Sequence, residues 1–163
     1  MSVLQAVGLA KHYNGVAALN NLNLSIDKGE IFCLLGQNGA GKTTTINLFL
    51  GFTEPSEGQA LINGEEVAKD PSATRSYIAY IPEVVQLYAN LNGIENLSFF
   101  SQLAGYHHSG EQLVALLLKA GLQQSAHHQP LAAYSKGMRQ KVGIAIALSK
   151  NADAILMDEP TSG

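Results

Sequence analysis

The feature that most restricts this chain is Gly36-Gln37-Asn38-Gly39-Ala40-Gly41-Lys42-Thr43-Thr44, which fits the pattern G-x-x-x-x-G-K-[ST]. It lies between the apolar run Ile31-Phe32-Cys33-Leu34-Leu35, which reads as a strand, and Thr43 to Leu50, which reads as a helix closed by Gly51. Strand, glycine-rich turn and helix in that order make a phosphate cradle. Glycines let the backbone wrap closely, so that successive N–H groups point at phosphate oxygens, and the helix N-terminus adds favourable partial charge for an anion. Lys42 would reach the terminal phosphates, and Thr43 would supply a hydroxyl to Mg2+. Gly36, Asn38, Gly39, Ala40, Gly41, Lys42, Thr43 and Thr44 are therefore the expected phosphate-binding positions. A glycine-rich turn without function is the competing reading, and the flanking strand and helix weigh against it.

A second signal lies in Ala154-Ile155-Leu156-Met157-Asp158-Glu159. Four apolar residues followed by an acid form a Walker B strand, apolar on both faces as a buried parallel strand should be. Such a strand presents Asp158 to the Mg2+ held by Thr43, and Glu159 sits where a general base would polarise the attacking water. Alone, the pattern also suits a buried strand ending in solvated acids. Downstream of a phosphate cradle, the functional reading is favoured. A third signal is Tyr134-Ser135-Lys136-Gly137-Met138-Arg139-Gln140-Lys141, which opens a helix running to about Lys150. Ser135 reads there as an N-cap, and the helix start is another place for an anion.

The remaining segments set the architecture. Leu22, Leu24 and Ile26 alternate with polar residues before a turn at Asp27-Lys28-Gly29. Asn63-Gly64 joins Ala60-Leu61-Ile62 to Glu65-Glu66-Val67 as a tight hairpin, because both turn residues tolerate positive φ. Tyr77 to Ile81 is a further strand, stopped by Pro82. After it the pattern turns helical. Asn92…Glu95 and Ser109…Gln112 resemble capping boxes, one ahead of Ile94, Leu97 and Phe100, the other ahead of Leu113, Leu116, Leu117 and Ala120, with Gly121 as a stop. Gln123 to Pro130 is the most loop-like stretch.

Composition narrows the function classes. Of 163 residues, 46% are hydrophobic and 14% charged, which suits a folded globular chain. A net charge of −3 carries no basic surplus and gives no support to nucleic acid as a partner. No stretch approaches the roughly 18 apolar residues of a membrane span, so a membrane role is expected only through a partner. Cys33, the single cysteine, reads as a small buried strand residue. The pairs His107-His108 and His127-His128 read as solvated loop residues rather than metal ligands.

With the three motifs in this order, the chain resembles the nucleotide-binding domain of ABC transporter ATPases over essentially its whole length. Tyr134 to Met138 stands where the family signature Leu-Ser-Gly-Gly-Gln would be, with Ser135 and Gly137 retained. The variant Tyr-Ser-Lys-Gly-Met-Arg-Gln is similar to that of ABC-2 type exporter ATPases. The resemblance implies an α/β P-loop NTPase fold with an N-terminal antiparallel β-subdomain, a P-loop core sheet and a helical insert at about 84–135, within one partial domain over 1–163. It implies ATP and Mg2+ as cofactors, with Tyr13 stacking on adenine and Ser135 and Gly137 contacting the γ-phosphate. Glu83 falls where the family usually has a glutamine that senses Mg2+ and couples to the membrane domain. The implied partners are a second nucleotide-binding domain, as a homodimer closing over two ATP molecules, and a multi-span permease that would hold the protein on the cytoplasmic face of the membrane.

The resemblance also implies that the chain stops at the start of the family's D-loop, Thr161-Ser162-Gly163, ahead of the switch histidine and the C-terminal part of the core. Weak binding of Mg-ATP, poor hydrolysis and an uncovered apolar sheet edge or face are the expectations for 163 residues alone. A truncated or inactive nucleotide-binding fragment and a non-transport ABC ATPase stay open as alternatives.

Overall fold

The computed structural model describes residues 2–158 and divides into two compact units, Met1–Ile78 and Ala79–Gly163. The first is built on an antiparallel sheet in the order β2-β1-β3-β4, comprising β1 (Ser2–Tyr13), β2 (Val16–Asp27), β3 (Glu57–Ile62) and β4 (Glu65–Glu66). The turns Asn14-Gly15 (φ 50° and 80°) and Asn63-Gly64 (φ 50° and 82°) close its two hairpins, the second as the sequence predicts.

Strand β1 has no clear sequence signal, because its register shifts against both neighbours and each shift changes the face a side chain takes. One shift falls between Val7 and Ala10, where Gly8 (φ 55°) lies opposite Gly58 (φ 69°). A Cβ on Gly58 would sit 2.2 Å from the Gly8 carbonyl oxygen, so only glycine fits. Val3, Leu4, Ala6, Leu9, Ala10, Ala60 and Ile62 are buried around this sheet.

Helix α1 (Lys42–Phe49) contacts β3 and β2 and buries Thr45, Leu48 and Phe49. Gly51 (φ 65°) closes it as expected: its N–H donates to Leu48 O at 3.2 Å, and Phe52 N–H donates to Asn47 O at 2.9 Å. Helix α2 (Pro71–Ser76), capped by Asp70, is too short for a hydrophobic period to announce it.

The run Ile31–Leu35 corrects the sequence reading. It forms no strand among the described residues; Ile31 is 98% exposed, Leu35 is 84% exposed, and Cys33 is exposed rather than buried. Strand composition supplies no hydrogen-bonded neighbour, and no described strand pairs with this run.

The second unit holds β5 (Ile78–Ile81, whose first residue closes the first unit) paired with β6 (Ala154–Met157). Asp158 N–H donates to Ile81 O at 3.0 Å, so both strands finish at the same end and run parallel. A parallel pair needs a long crossover. Here it consists of α3 (Gly93–Leu103), α4 (Gly110–Lys119) and α5 (Lys136–Ser149), with 3-10 turns at Gln124–Ala126 and Leu131–Ala133. Both expected capping boxes form, at Asn92/Glu95 and Ser109/Gln112.

The helices enclose a core of Leu97, Leu113, Leu117, Leu122, Leu131, Tyr134, Val142 and Ala145. A smaller cluster of Ala79, Ile81 and Ala147 packs with Val85, Ile144 and Ala152. Strand β6 is apolar on both faces but leaves one of them partly uncovered, in line with the expected uncovered sheet face: Ile155 and Met157 are each 38% exposed while Ala154 and Leu156 are half-buried. Burial on both faces requires a layer over each, and residue type alone does not provide one. Two histidines also depart from the solvated reading. His127 is buried with Nε2 3.0 Å from Leu122 O, and His108 is half-buried with Nε2 3.2 Å from Ser149 O. A backbone carbonyl satisfies each ring nitrogen, which removes the penalty that would keep it in water.

Candidate nucleotide-binding site

The loop Gly36–Thr44 turns on backbone geometry that only glycine adopts without strain. Gly39 and Gly41 both have φ 86°, and a Cβ on Gly41 would meet the Ala18 carbonyl oxygen at 2.6 Å. Space around Gly39 is open. Ala40 N–H donates to Gln37 O at 3.0 Å, and Thr45 donates to Gly41 O through both its N–H and its hydroxyl, each at 2.8 Å. Gly41 is the N-cap of α1 and no side chain caps that terminus. The first-turn amides of a helix have no intrahelical acceptor, and the N-cap glycine has no side chain to take one of them. Lys42 Nζ donates to Gly36 O at 2.7 Å and Gln37 O at 3.1 Å, so the ammonium folds back onto the loop that precedes it.

This arrangement fits a phosphate chain in kind: a loop of exposed residues, a cation at its mouth and an uncapped helix start. The donor set also fits Mg2+, which prefers hard oxygen ligands such as a threonine hydroxyl and carboxylates. Among the described residues, no three His, Cys, Asp or Glu side chains converge as a protein-only metal site.

Tyr13 closes β1 beside the Asn14-Gly15 turn. It is 47% exposed, and Lys11 Nζ stands 5.1 Å from its ring centroid. One face of the ring therefore carries a cation contact of the kind aromatic quadrupoles attract.

In the second unit, Asp158 follows β6 and Glu83 follows β5, so both leave the same end of the parallel pair. The Tyr80 hydroxyl has its pKa raised above the ordinary phenol value, first by burial and then by the negative charge of Asp158. Glu159, the expected general base, lies outside the described residues, as do Thr161, Ser162 and Gly163.

The signature turn starts α5. Ser135 is its N-cap as expected, with Oγ accepting from Met138 N–H at 3.2 Å, and Ser135, Lys136 and Gly137 are all exposed. A cavity of about 290 Å3 opens beside it, lined by Glu83, Val84, Val85, Tyr134, Lys136, Arg139 and Gln140. Glu83 and the start of α5 therefore share one cavity, a juxtaposition the sequence spacing did not announce. Gly143 explains part of that approach: a Cβ there would lie 2.9 Å from Val85 Cγ2. Sequence reasoning also missed Tyr134 and Arg139 as anchors of this turn. The available signal was a tyrosine where the family has leucine.

Comparison with known proteins agrees with this layout. The family model described as ABC transporter matches residues 19–162. The chain is 36% identical to the bacitracin transport ATP-binding protein BcrA of Bacillus licheniformis over 99% of this chain and 52% of that protein. It is 34% identical to the daunorubicin/doxorubicin resistance ATP-binding protein DrrA of Streptomyces peucetius, over 98% of this chain and 49% of that protein. It thus spans about half the length of these curated relatives. A solved ATP-binding subunit of an ABC transporter superposes with a TM-score of 0.82 at 33% identity, covering 99% of this chain and 68% of that one. Loop, Walker B strand and signature helix occur in the order of that family, the fold superposes, and the matching model spans most of the residues: this chain belongs to the ABC transporter family.

Proposed function

We propose that the chain is the ATP-binding part of an ABC-2 type exporter subunit, which couples binding and hydrolysis of Mg-ATP to transport. The observation that carries this reading is the Gly36–Thr44 loop, with an N-terminus of α1 that no side chain caps and Lys42 poised at its mouth. Tyr13 stacks on adenine. Gly36, Asn38, Gly39, Ala40, Gly41 and Thr44 wrap the phosphates, and Lys42 exchanges its two loop carbonyls for phosphate oxygens. Thr43, Asp158 and Glu83 are the residues for Mg2+, which supplies charge neutralisation to the phosphates when bound. Glu159 is the general base that takes a proton from the attacking water.

Ser135 and Gly137 of a second copy complete each site, so that two chains close head to tail over two nucleotides. ATP favours the closed pair because it binds that state far better than the open one. The exporter assignment is supported by the similarity to BcrA, a bacitracin transport ATP-binding protein, and DrrA, a daunorubicin/doxorubicin resistance ATP-binding protein, and by the signature variant. Among the described residues no helix is long and apolar enough to cross a membrane, and a multi-span permease is the proposed membrane partner, reached from the cytoplasmic face. Exposed Val84, Tyr88, Phe99 and Leu103 in the helical segment, about 84–135, support such a protein contact.

The test is a titration of the chain with a fluorescent ATP analogue in the presence of Mg2+. Saturable binding, competed by ATP and lost in Lys42→Ala, is expected. Equal affinity in wild type and Lys42→Ala would remove the reading.

A further inference from the structure

We propose that Tyr134 is a positioning residue for the Ser135–Gly137 turn, and that Gly93 is glycine in order to admit the Tyr134 hydroxyl. The inference rests on the reading that Ser135 and Gly137 meet nucleotide held by a second copy. Its geometry belongs entirely to the second unit. The turn itself is exposed and lightly held: Ser135 Oγ caps Met138, and nothing but Ser135 Oγ, at 4.0 Å, would meet a Cβ on Gly137. Its placement must therefore come from the residues on either side.

Tyr134, immediately before the turn, is only 5% exposed, and its ring belongs to the helical core. The hydroxyl donates to the Ala126 carbonyl and lies against Gly93, the first residue of α3. One side chain thus joins the start of α5 to the start of α3 and to the 3-10 turn at Gln124–Ala126. Gly93 is buried and Ala126 is 1% exposed; the Ala126 carbonyl also accepts from Gln129 N–H at 3.0 Å, so removing the hydroxyl takes away one of its two hydrogen bonds at a place water does not reach. An aliphatic side chain at 134 would fill the space without making that hydrogen bond.

Gly93 supplies the independent half of the argument. Glycine is an unfavourable choice inside a helix, and φ at Gly93 is not in the left-handed region that would call for it. A Cβ there would lie 2.7 Å from the Tyr134 hydroxyl oxygen, while its next neighbours, His127 O and Leu122 Cδ2, would both be at 3.5 Å. The hydroxyl alone excludes a side chain at 93. Beyond the turn, Arg139 Nη2 donates to Leu131 O at 3.2 Å and holds α5 from the other side.

The experiment uses the full chain as wild type, Tyr134→Phe, Gly93→Ala and the double variant. Two readouts are taken: amide hydrogen exchange, and ATP-driven association measured beside Mg-ATP affinity. Losing the hydroxyl in Tyr134→Phe, or displacing it in Gly93→Ala, is expected to speed exchange at Met138 roughly tenfold, with amides of β1 to β3 unchanged. The double variant should be no worse than Tyr134→Phe, because the added Cβ then meets no hydroxyl. Nucleotide affinity of the separate chain should stay at the wild-type value, while ATP-driven association weakens roughly tenfold, a split that general destabilisation would not produce.

Unchanged Met138 exchange in both single variants, or additive losses in the double, would overturn the proposal. So would wild-type association strength in Tyr134→Phe. If ATP drives no association even in wild type while the exchange pattern appears as expected, the two-copy reading falls and Tyr134 still stands as the anchor of the turn.

Discussion

Helices α1 and α5 both begin where an anion is expected, yet they are started in opposite ways. Gly41 opens α1 with a left-handed backbone and no side-chain cap, whereas Ser135 opens α5 with an extended backbone and a hydroxyl on Met138 N–H. At α1 the shape is made by backbone: a positive φ, a carbonyl at Ala18 too close for any Cβ, and a lysine turned onto loop carbonyls. At α5 the shape is made by side chains reaching into a core, Tyr134 to Ala126 and Arg139 to Leu131. The difference teaches what each terminus leaves available. A start without a side-chain cap keeps its amides for a ligand that wraps around it, and a capped, anchored start presents a small exposed turn to something that approaches from outside.

The comparison can be broken at its strongest point first. Gly41→Ala forces a side chain into a left-handed residue and against Ala18 O, and should destabilise the chain by about 3 kcal/mol, from strain and overpacking together. Urea titration followed by circular dichroism reads this, and a loss below about 1 kcal/mol would mean that the loop relaxes freely. Lys42→Ala comes next. Its stability should change little, while Mg-ATP affinity falls by about 2 kcal/mol, the worth of a hydrogen-bonded cation on phosphate, and calorimetric titration separates the two effects.

Ser135→Ala sharpens the contrast, because it removes a cap and nothing from the P-loop. The expected cost is about 1 kcal/mol of stability with unchanged nucleotide affinity of the separate chain. A matched loss of affinity would show that the two termini are not independent in the isolated chain.

The smallest effect lies at alkaline pH. Tyr80 and Tyr134 both have pKa values raised by burial, with Asp158 adding to the rise at Tyr80 and the Gly93 amide opposing it at Tyr134. The folded state thus holds these protons more tightly than the unfolded chain. Their contribution is complete below about pH 10, the ordinary phenol value, and is lost as pH rises through the higher folded values. Denaturation midpoints measured from pH 9 to 11.5 should fall less steeply in Tyr80→Phe than in wild type.

Legibility followed the range of the interaction. The capping boxes at Asn92 and Ser109, the Asn63-Gly64 hairpin, the Gly51 closure and the Ser135 cap were all readable, because each is settled within a few residues. Strand β1 was not, since register shifts opposite Gly8 and Gly58 erase its alternation. His127 looked like a loop histidine because its carbonyl partner, Leu122 O, is met only when the 3-10 turn folds back. Ile31–Leu35 looked like a strand because its residues suit one, although no described strand pairs with it.

By itself, then, the sequence determined the local patterns: the glycine-rich loop before α1, the acid at the end of β6 and the serine that starts α5 each have local physical causes. Tertiary structure alone decided what holds those pieces in place. The Gly41 approach to Ala18, the shared end of β5 and β6 that carries Glu83 and Asp158, and the Tyr134 hydroxyl between Gly93 and Ala126 all join residues distant in the chain. Such contacts depend on distance in space, which a local pattern of residue types does not encode.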